Sequence, residues 1–567
     1  MRVLLLFLTR ILCVSGDYIP GSPGGEWTLE ELLIVRAKIW SLLYDTSDWQ
    51  TSAIAIYKSI PENELPIKGL PTAWRDQGLR FFPAKLLRLS FHDCVRYKDG
   101  SGGCDGCLNW KGMEMRFSTD QAKLKYSYTY PDIKEGTNNG LEFTVALLEK
   151  LYTDKDFPPN SAPSLSESLK SSGKSRADLW AYAAKVAIEY SVERNNYHCD
   201  KKPANNAWNG SFIGYSGDCH RYLEDPDCKF RLTREIRFRY GRKDCIPKEG
   251  SEPFKAATEE VHPNPEGNGD DTIDFFKSEF GFTAKQTVAI MGSHTIGKMN
   301  MATSLFKYSW TSRGSHMFNN AYYRNFVNKH DWFIESQDGN TCRKIGDADG
   351  NLPDVKWVPT MNGFTKSGGP MHWIKVHFTC PNCYNRMKDS WMSGVFDRCC
   401  TGKPKDKMCK PDNATRNDVD DIQGCESYRF AFGLDEMAIN AEMGLYFQFD
   451  EVNGIPVNCN GLKDFNMKTW KRKPNQSRQS VASQSVAWHH GCGLNMRREP
   501  KNAQPVSRFF DIYAKDQSKW VRDYVPTFEK MTRNGYQWSD LKRAPDSWKN
   551  VRCLAVGRQK RFECTAN

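Results

Sequence analysis

The segment Arg88-Leu89-Ser90-Phe91-His92-Asp93-Cys94 constrains this chain more than any other. It closes an apolar run after Pro83 (AKLLRLSFH, residues 84–92) whose spacing predicts a helix. Arg88 and His92 stand at i and i+4, so both side chains leave one face of that helix. Neither a guanidinium nor an imidazole buries cheaply in a core. The pair makes sense against a polar cavity. There the imidazole can take a proton from a bound molecule, and the guanidinium can steady developing negative charge. An exposed helix carrying one Arg and one His is the plainer alternative.

A second histidine element follows at residues 287–297, TVAIMGSHTIG, where an apolar helical run leads into Gly292-Ser293-His294-Thr295. A haem iron takes one neutral imidazole nitrogen as an axial ligand, and an apolar run can pack on a porphyrin face. A core histidine near a helix end is the alternative. In this order, the two elements resemble the distal R-x-x-[FW]-H-D-C and proximal G-x-H-T-[IL]-G signatures of the plant, fungal and bacterial haem peroxidase superfamily. Phe91 is the aromatic that the secreted classes carry. Asn138-Asn139-Gly140-Leu141 resembles the family's N-[AS]-G-L segment. SRADL at 175–179, GRKD at 241–244 and FNNAYY at 318–323 also recur in it, and residues 505–535 resemble its closing helices. The resemblance spans residues 30–330 and 430–545.

The resemblance implies a mostly α, two-lobed fold with haem b between a distal and a proximal lobe. It makes His92 the acid–base group toward peroxide, Arg88 its assistant in O–O cleavage and Asn138 the residue that holds His92. His294 becomes the axial iron ligand. Its other N–H should meet a carboxylate, which makes the ligand more basic. In GLDEMAI, residues 433–439, a gapless match gives Glu436 and residue type gives Asp435; Asp435 is the candidate, with Glu436 as the alternative. Trp310, in Ser-Trp-Thr-Ser, resembles the P-W-T-S tryptophan of ascorbate and cytochrome c peroxidases, which packs beside the proximal histidine. An ordinary core tryptophan is its alternative.

Secreted members also hold two calcium ions through hard oxygen ligands. The distal candidates are Asp93, Gly103 and Asp105, with Cys107 in the family's serine slot. Thr295 and Thr311 are the proximal ones. Asn319 stands where the family has an aspartate, so that site suits a monovalent cation or none. Cys94 and Cys104 match the short disulfide loop of the plant secreted class.

The compartment follows from the ends and the cysteines. Met1-Arg2, the run VLLLFL and the small residues near Ser15-Gly16 read as a secretory signal, with Arg10 interrupting it. There are 19 cysteines; Cys13 would leave with the signal and the rest are even in number. Such density suits an oxidising compartment. For the same reason Cys380-x-x-Cys383 with Cys399-Cys400 reads as disulfide cysteines rather than zinc ligands. Sequons lie at Asn209, Asn413 and Asn475. Mean hydropathy is −0.65 and no long apolar run exists, which excludes a multi-span membrane protein. The net charge of +11 is spread out and accompanies no nucleic-acid motif.

Helical spacing is expected at 29–58, 84–92, 139–152, 177–190, 434–447 and 505–533, with two short helices meeting at Gly281 within 270–293. Residues 331–429 hold seven cysteines and little helical period. The expected organisation is a signal at 1–16, peroxidase domain at 17–330, cysteine-rich insertion at 331–429, the rest of that domain at 430–545 and a tail at 546–567. The expected function is a secreted peroxidase that reduces hydrogen peroxide and oxidises small phenolic or tyrosyl donors, with extracellular-matrix components as candidate partners. A non-catalytic matrix or binding protein on the same scaffold is the alternative. An intracellular ascorbate peroxidase fits Trp310 but not the signal and cysteines.

Overall fold

The computed structural model describes residues 20–44, 52–66, 79, 81–110, 138, 140–159, 163–200, 232, 234–245, 247, 253–256, 258–265, 269–298, 310–311, 317–327, 332–336, 371–376, 435–446, 451–452, 455–456, 506–545, 551–556 and 561–566. Among them the fold is mostly α, as the sequence led us to expect, with eleven α-helices. The helices are α1 (Leu29–Leu43), α2 (Ser52–Ser59), α3 (Phe82–Cys94), α4 (Glu142–Thr153) and α5 (Arg176–Asp200). Then come α6 (Gly269–Phe280), α7 (Ala284–Met291), α8 (Ala321–Val327), α9 (Asn440–Tyr446), α10 (Ser507–Lys515) and α11 (Gln517–Met531).

Local chemistry sets several boundaries. Thr28 caps α1 and Glu31 reaches back to it, a capping box that Thr283 and Gln286 repeat at α7. Gly281 sits between α6 and α7 at φ 62, a conformation that suits glycine. Asp516 ends α10 and caps α11 through Lys519 N.

Two apolar clusters organise the helices. One gathers Leu32, Val35 and Ile39 of α1 with Leu147 and Leu151 of α4 and Trp180 of α5. The other gathers Val288 of α7, Tyr322 and Tyr323 of α8, Met443 of α9, Phe510 of α10 and Trp520 of α11. Helices α3 and α5 serve both: Leu86 and Leu89 join the first cluster and Leu87 the second, while on α5 Ala183 and Ala187 join the first and Ala184 and Ile188 the second. The segment bearing Arg88 and His92 therefore lies on the seam between two cores.

The segments 175–179 and 241–244 clasp each other behind that seam. Asp178 accepts from Gly241 N at 2.8 Å and Arg242 Nη1 at 2.7 Å. Asp244 in turn accepts from Arg176 N and Ala177 N, each at 2.9 Å. These are the free amides of the first turn of α5, where a carboxylate also meets the positive end of the helix dipole. Cys107 and Cys245 tie the same region, and Cys94–Cys104 closes the loop after α3.

Two expectations need correction. Residues 434–447 begin as a strand (Asp435–Ala438) before α9 starts. That strand joins Trp332–Ser336 and Met371–Val376 in an antiparallel three-stranded sheet, with Met371–Val376 in the middle. A strand followed by a helix explains why a single helical period does not run through the segment. Residues beyond 545 are not a simple tail. Val551–Val556 and Arg561–Ala566 form an antiparallel hairpin with Cys553 opposite and bonded to Cys564, and Cys564 packs on Ala37 of α1. The signal, the three sequons and most of 331–429 lie outside the described residues.

Candidate active site

Helix α3 delivers Arg88 and His92 side by side. Arg88 Nε donates to His92 Nε2 at 3.3 Å, and His92 Nδ1 lies 2.8 Å from Asn138 Oδ1. The Asn138 amide nitrogen donates to the carbonyl of Asn109 and to Glu260 Oε1 at 3.0 Å. Its oxygen is thus left to accept, which puts the imidazole proton on Nδ1 and makes Nε2 the basic atom. Burial pushes His92 well below the ordinary histidine range, and the Arg88 charge and His262 push the same way. The imidazole is therefore neutral at physiological pH. Burial lowers Lys85 to about 7 and Arg88 to about 10, with Glu142 opposing both.

Glu260 extends this side. It accepts from Asn109 N at 2.6 Å and stands 3.6 Å from His262 Nε2. The His262 ring lies 5.3 Å from that of His92, centre to centre. A second imidazole thus borders the first.

The other wall is built by α7, the turn after it and α9. Tyr323 Oη donates to the carbonyls of Val288 and Ala289, and Trp520 Nε1 to that of Ala289, so side chains meet two carbonyls of the last turn of α7. A Cβ on Gly292 would meet Tyr323 Oη at 2.5 Å and Trp520 Nε1 at 2.6 Å. That close approach explains the glycine of the G-x-H-T element. His294 follows in a short 3-10 turn, with its side chain 32% exposed.

The carboxylate that meets His294 is Glu442, not Asp435 or Glu436. Glu442 Oε1 lies 2.5 Å from His294 Nδ1 and accepts from Tyr322 Oη at 3.0 Å. Its Oε2 accepts from Trp310 Nε1 at 2.8 Å and Ile439 N at 2.9 Å. Both oxygens of a fully buried carboxylate are thereby satisfied. Asp435 and Glu436 instead occupy the strand before α9. A glutamate of the following helix thus reaches the imidazole. Helix α9 approaches α6 where a Cβ on Gly269 would overlap the Gly444 carbonyl, and Thr272 Oγ1 donates to Ala441 O. Trp310 stacks on the His294 ring with centres 4.1 Å apart and planes 18° from parallel.

The donor set fits a haem. His294 Nδ1 is committed to Glu442, which leaves Nε2 as the ligand atom, and no hydrogen bond within the protein engages it among the described residues. This is the second-sphere pattern that fixes tautomer and raises ligand basicity.

The cation candidates form two groups. Asp93 accepts from Gly106 N at 2.6 Å, while Asp105 accepts from Tyr97 Oη at 3.2 Å to each oxygen and from Cys107 N at 3.2 Å. Burial raises both carboxyls well above the ordinary aspartate range, and each feels the acidic groups around it. A Cβ on Gly103 would meet the Asn534 carbonyl at 2.6 Å, so close packing accounts for that glycine. Cys107 is disulfide-bonded to Cys245 and offers no ligand. On the other side, Thr311 Oγ1 donates to Thr295 O at 2.9 Å, and Thr295 Oγ1 to Asn319 Oδ1 at 3.3 Å. Among the described residues no group of three or more His, Cys, Asp or Glu has the arrangement of a metal site.

Residues 72–345 match the protein family described as Peroxidase. The match takes in Arg88, His92, Asn138 and His294 and ends before Glu442. It supports the peroxidase superfamily and a peroxidase-type function for this chain. No curated protein matches the chain.

Sequence reasoning missed Glu442, Glu260 and His262. For Glu442 a signal existed: it is the only acid between Met437 and Tyr446, on a short segment otherwise rich in apolar residues. Glu260 and His262 carried none, because they follow a stretch with no regular period and meet Asn138 only through the fold.

Proposed function

We propose that this chain is a secreted haem b peroxidase. It reduces hydrogen peroxide and oxidises small phenolic or tyrosyl donors one electron at a time. The observation that carries this is a pair of imidazoles with opposite commitments. His294 is backed by a carboxylate and leaves Nε2 for iron, whereas His92 is neutral and paired with a guanidinium. His294 would hold the haem through Nε2, and the haem would supply the redox centre between peroxide and the donors.

His92 Nε2 takes a proton from the incoming peroxide and returns it to the departing oxygen, so that water leaves rather than hydroxide. Arg88 offsets the negative charge that develops on that oxygen. Asn138, held by Glu260, fixes the tautomer that keeps Nε2 basic. Glu442 stabilises the imidazole of His294 in its electron-rich form. Trp310, sharing Glu442 with His294, is the aromatic beside the ligand. Asp93 and Asp105, with Gly103, are the residues that would hold a distal calcium, and Thr295 and Thr311 a proximal cation.

Replacing His92 by Ala tests the reading. Haem should be retained while the rate of reaction with peroxide falls by roughly 10²–10⁴. A wild-type rate would overturn it. For export, N-terminal sequencing of protein secreted from a eukaryotic host should find the first 16 residues removed; a retained leader would contradict secretion.

A further inference from the structure

A shallow surface pocket opens between α5, residues 236–242, the end of α11 and the turn at 538–541. None of the residues assigned above to peroxide or haem lines it. Its charged lining is Lys185, Arg237, Arg239, Arg242, Arg533 and a single carboxylate, Glu529. Lys185 is paired with Glu189 and Arg242 with Asp178. Glu529 faces Arg234 at 3.4 Å and accepts from Arg237 N. That leaves the guanidinium charges of Arg237, Arg239 and Arg533 without a carboxylate at ion-pair distance among the described residues.

Arg239 Nη1 donates to the Leu541 carbonyl at 2.7 Å, and like charges crowd around it. Strand Lys542–Arg543 pairs with Arg239–Tyr240 and sets Arg543 directly opposite Arg239, a like-charge pair that weakens a sheet. The guanidiniums of Arg239 and Arg533 both lie over the indole of Trp538, at 3.7 and 4.5 Å from its centre, and that indole is 54% exposed. The ring acts as a platform that holds two like charges together at the surface. A cluster of this kind is relieved by a bound anion.

We propose that the pocket binds the charged groups of an acidic polysaccharide, sulfated or carboxylated. Guanidinium forks match such oxyanions in a bidentate way. The Trp538 ring is taken up by arginines and no other strongly exposed aromatic appears among the described residues, so bases would find no stacking surface. Among the described residues the large exposed apolar ones besides Trp538 are Leu29 and Ile512, outside the pocket lining, so the described lining offers no other apolar group to insert into lipid. The proposal does not depend on haem.

The test uses the full chain and calorimetric titration with a heparin-derived hexasaccharide near physiological salt. Wild type should bind. Arg237→Ser with Arg533→Ser should weaken binding about tenfold or more, as lost charge-assisted hydrogen bonds predict, and Trp538→Ala should also weaken it. Lys170→Ser with Lys277→Ser removes the same charge elsewhere and should change affinity by less than about twofold. The peroxide reaction should be unaltered in the double arginine variant, with circular dichroism matched to wild type. No binding, equal loss in the lysine control, or tighter binding of oligo-Glu or oligo-dT of matched charge would each overturn the proposal.

Discussion

Glu442 accepts four hydrogen bonds from His294, Trp310, Tyr322 and Ile439 while fully buried. Its charge is the reason those groups can share one small space. Glu442→Gln replaces one acceptor oxygen with a donor, so two of the four donors lose their acceptor, each at a cost of about 1–3 kcal/mol. The expected outcome is a lower melting temperature and a weaker iron–imidazole bond, read as a lower Fe–His stretching frequency; unchanged values in both would contradict the role. His92 gives a pH prediction with a definite sign. Its folded-state pKa lies below that of the free side chain, so below about 6.5 the unfolded chain takes a proton that the folded one refuses. Stability should therefore fall as pH falls through that window, and His92→Gln should flatten the slope. A steeper slope in the variant would refute it. Arg88, His92, Asn138, His294 and Trp310 were legible as residues because each sits in a short local motif. The partners of His294 and Asn138 were not, because Glu442 and Glu260 reach them across more than a hundred residues of chain.

Among the elements, α3 and the α7 turn carry the chemistry, and other elements fix their ends. Gly292→Ala would drive a methyl group against Tyr323 and Trp520, the two side chains that donate to the Val288 and Ala289 carbonyls of α7. Neither neighbour can retreat without losing a buried hydrogen bond. The expected result is a destabilisation of about 1–3 kcal/mol with partial loss of haem on gel filtration; full stability and full haem content would contradict the packing argument. The Cys107–Cys245 bond bridges the loop after α3 to the clasp at the start of α5. Cys107→Ser with Cys245→Ser should cost about 2–5 kcal/mol in chemical unfolding; an unchanged midpoint would show that the clasp alone holds this region. Helix positions were legible wherever an apolar period ran for three turns, as in α1, α4 and α5. At 434–447 the run is short, and a four-residue strand shares its composition with the helix that follows, so periodicity could not separate them. The terminal hairpin was illegible for the same reason: its strands are recognisable only by the partner each pairs with.

At the scale of the whole molecule, two apolar clusters meet along α3 and α5. The distal pair Arg88–His92 comes from that seam, and the proximal unit His294–Glu442–Trp310 from the second cluster. Their order along the chain made the mostly α fold legible from sequence, since two short motifs outside such a frame would mean little. The central claim is that these residues hold haem and direct its reaction with peroxide. The measurement that tests it most directly is the absorption spectrum of the purified protein, supplied with haem, before and after one equivalent of hydrogen peroxide. The account predicts a Soret band that shifts at once with peroxide and is absent in His294→Ala. A protein that takes up no haem, or whose Soret band is indifferent to peroxide, would contradict it.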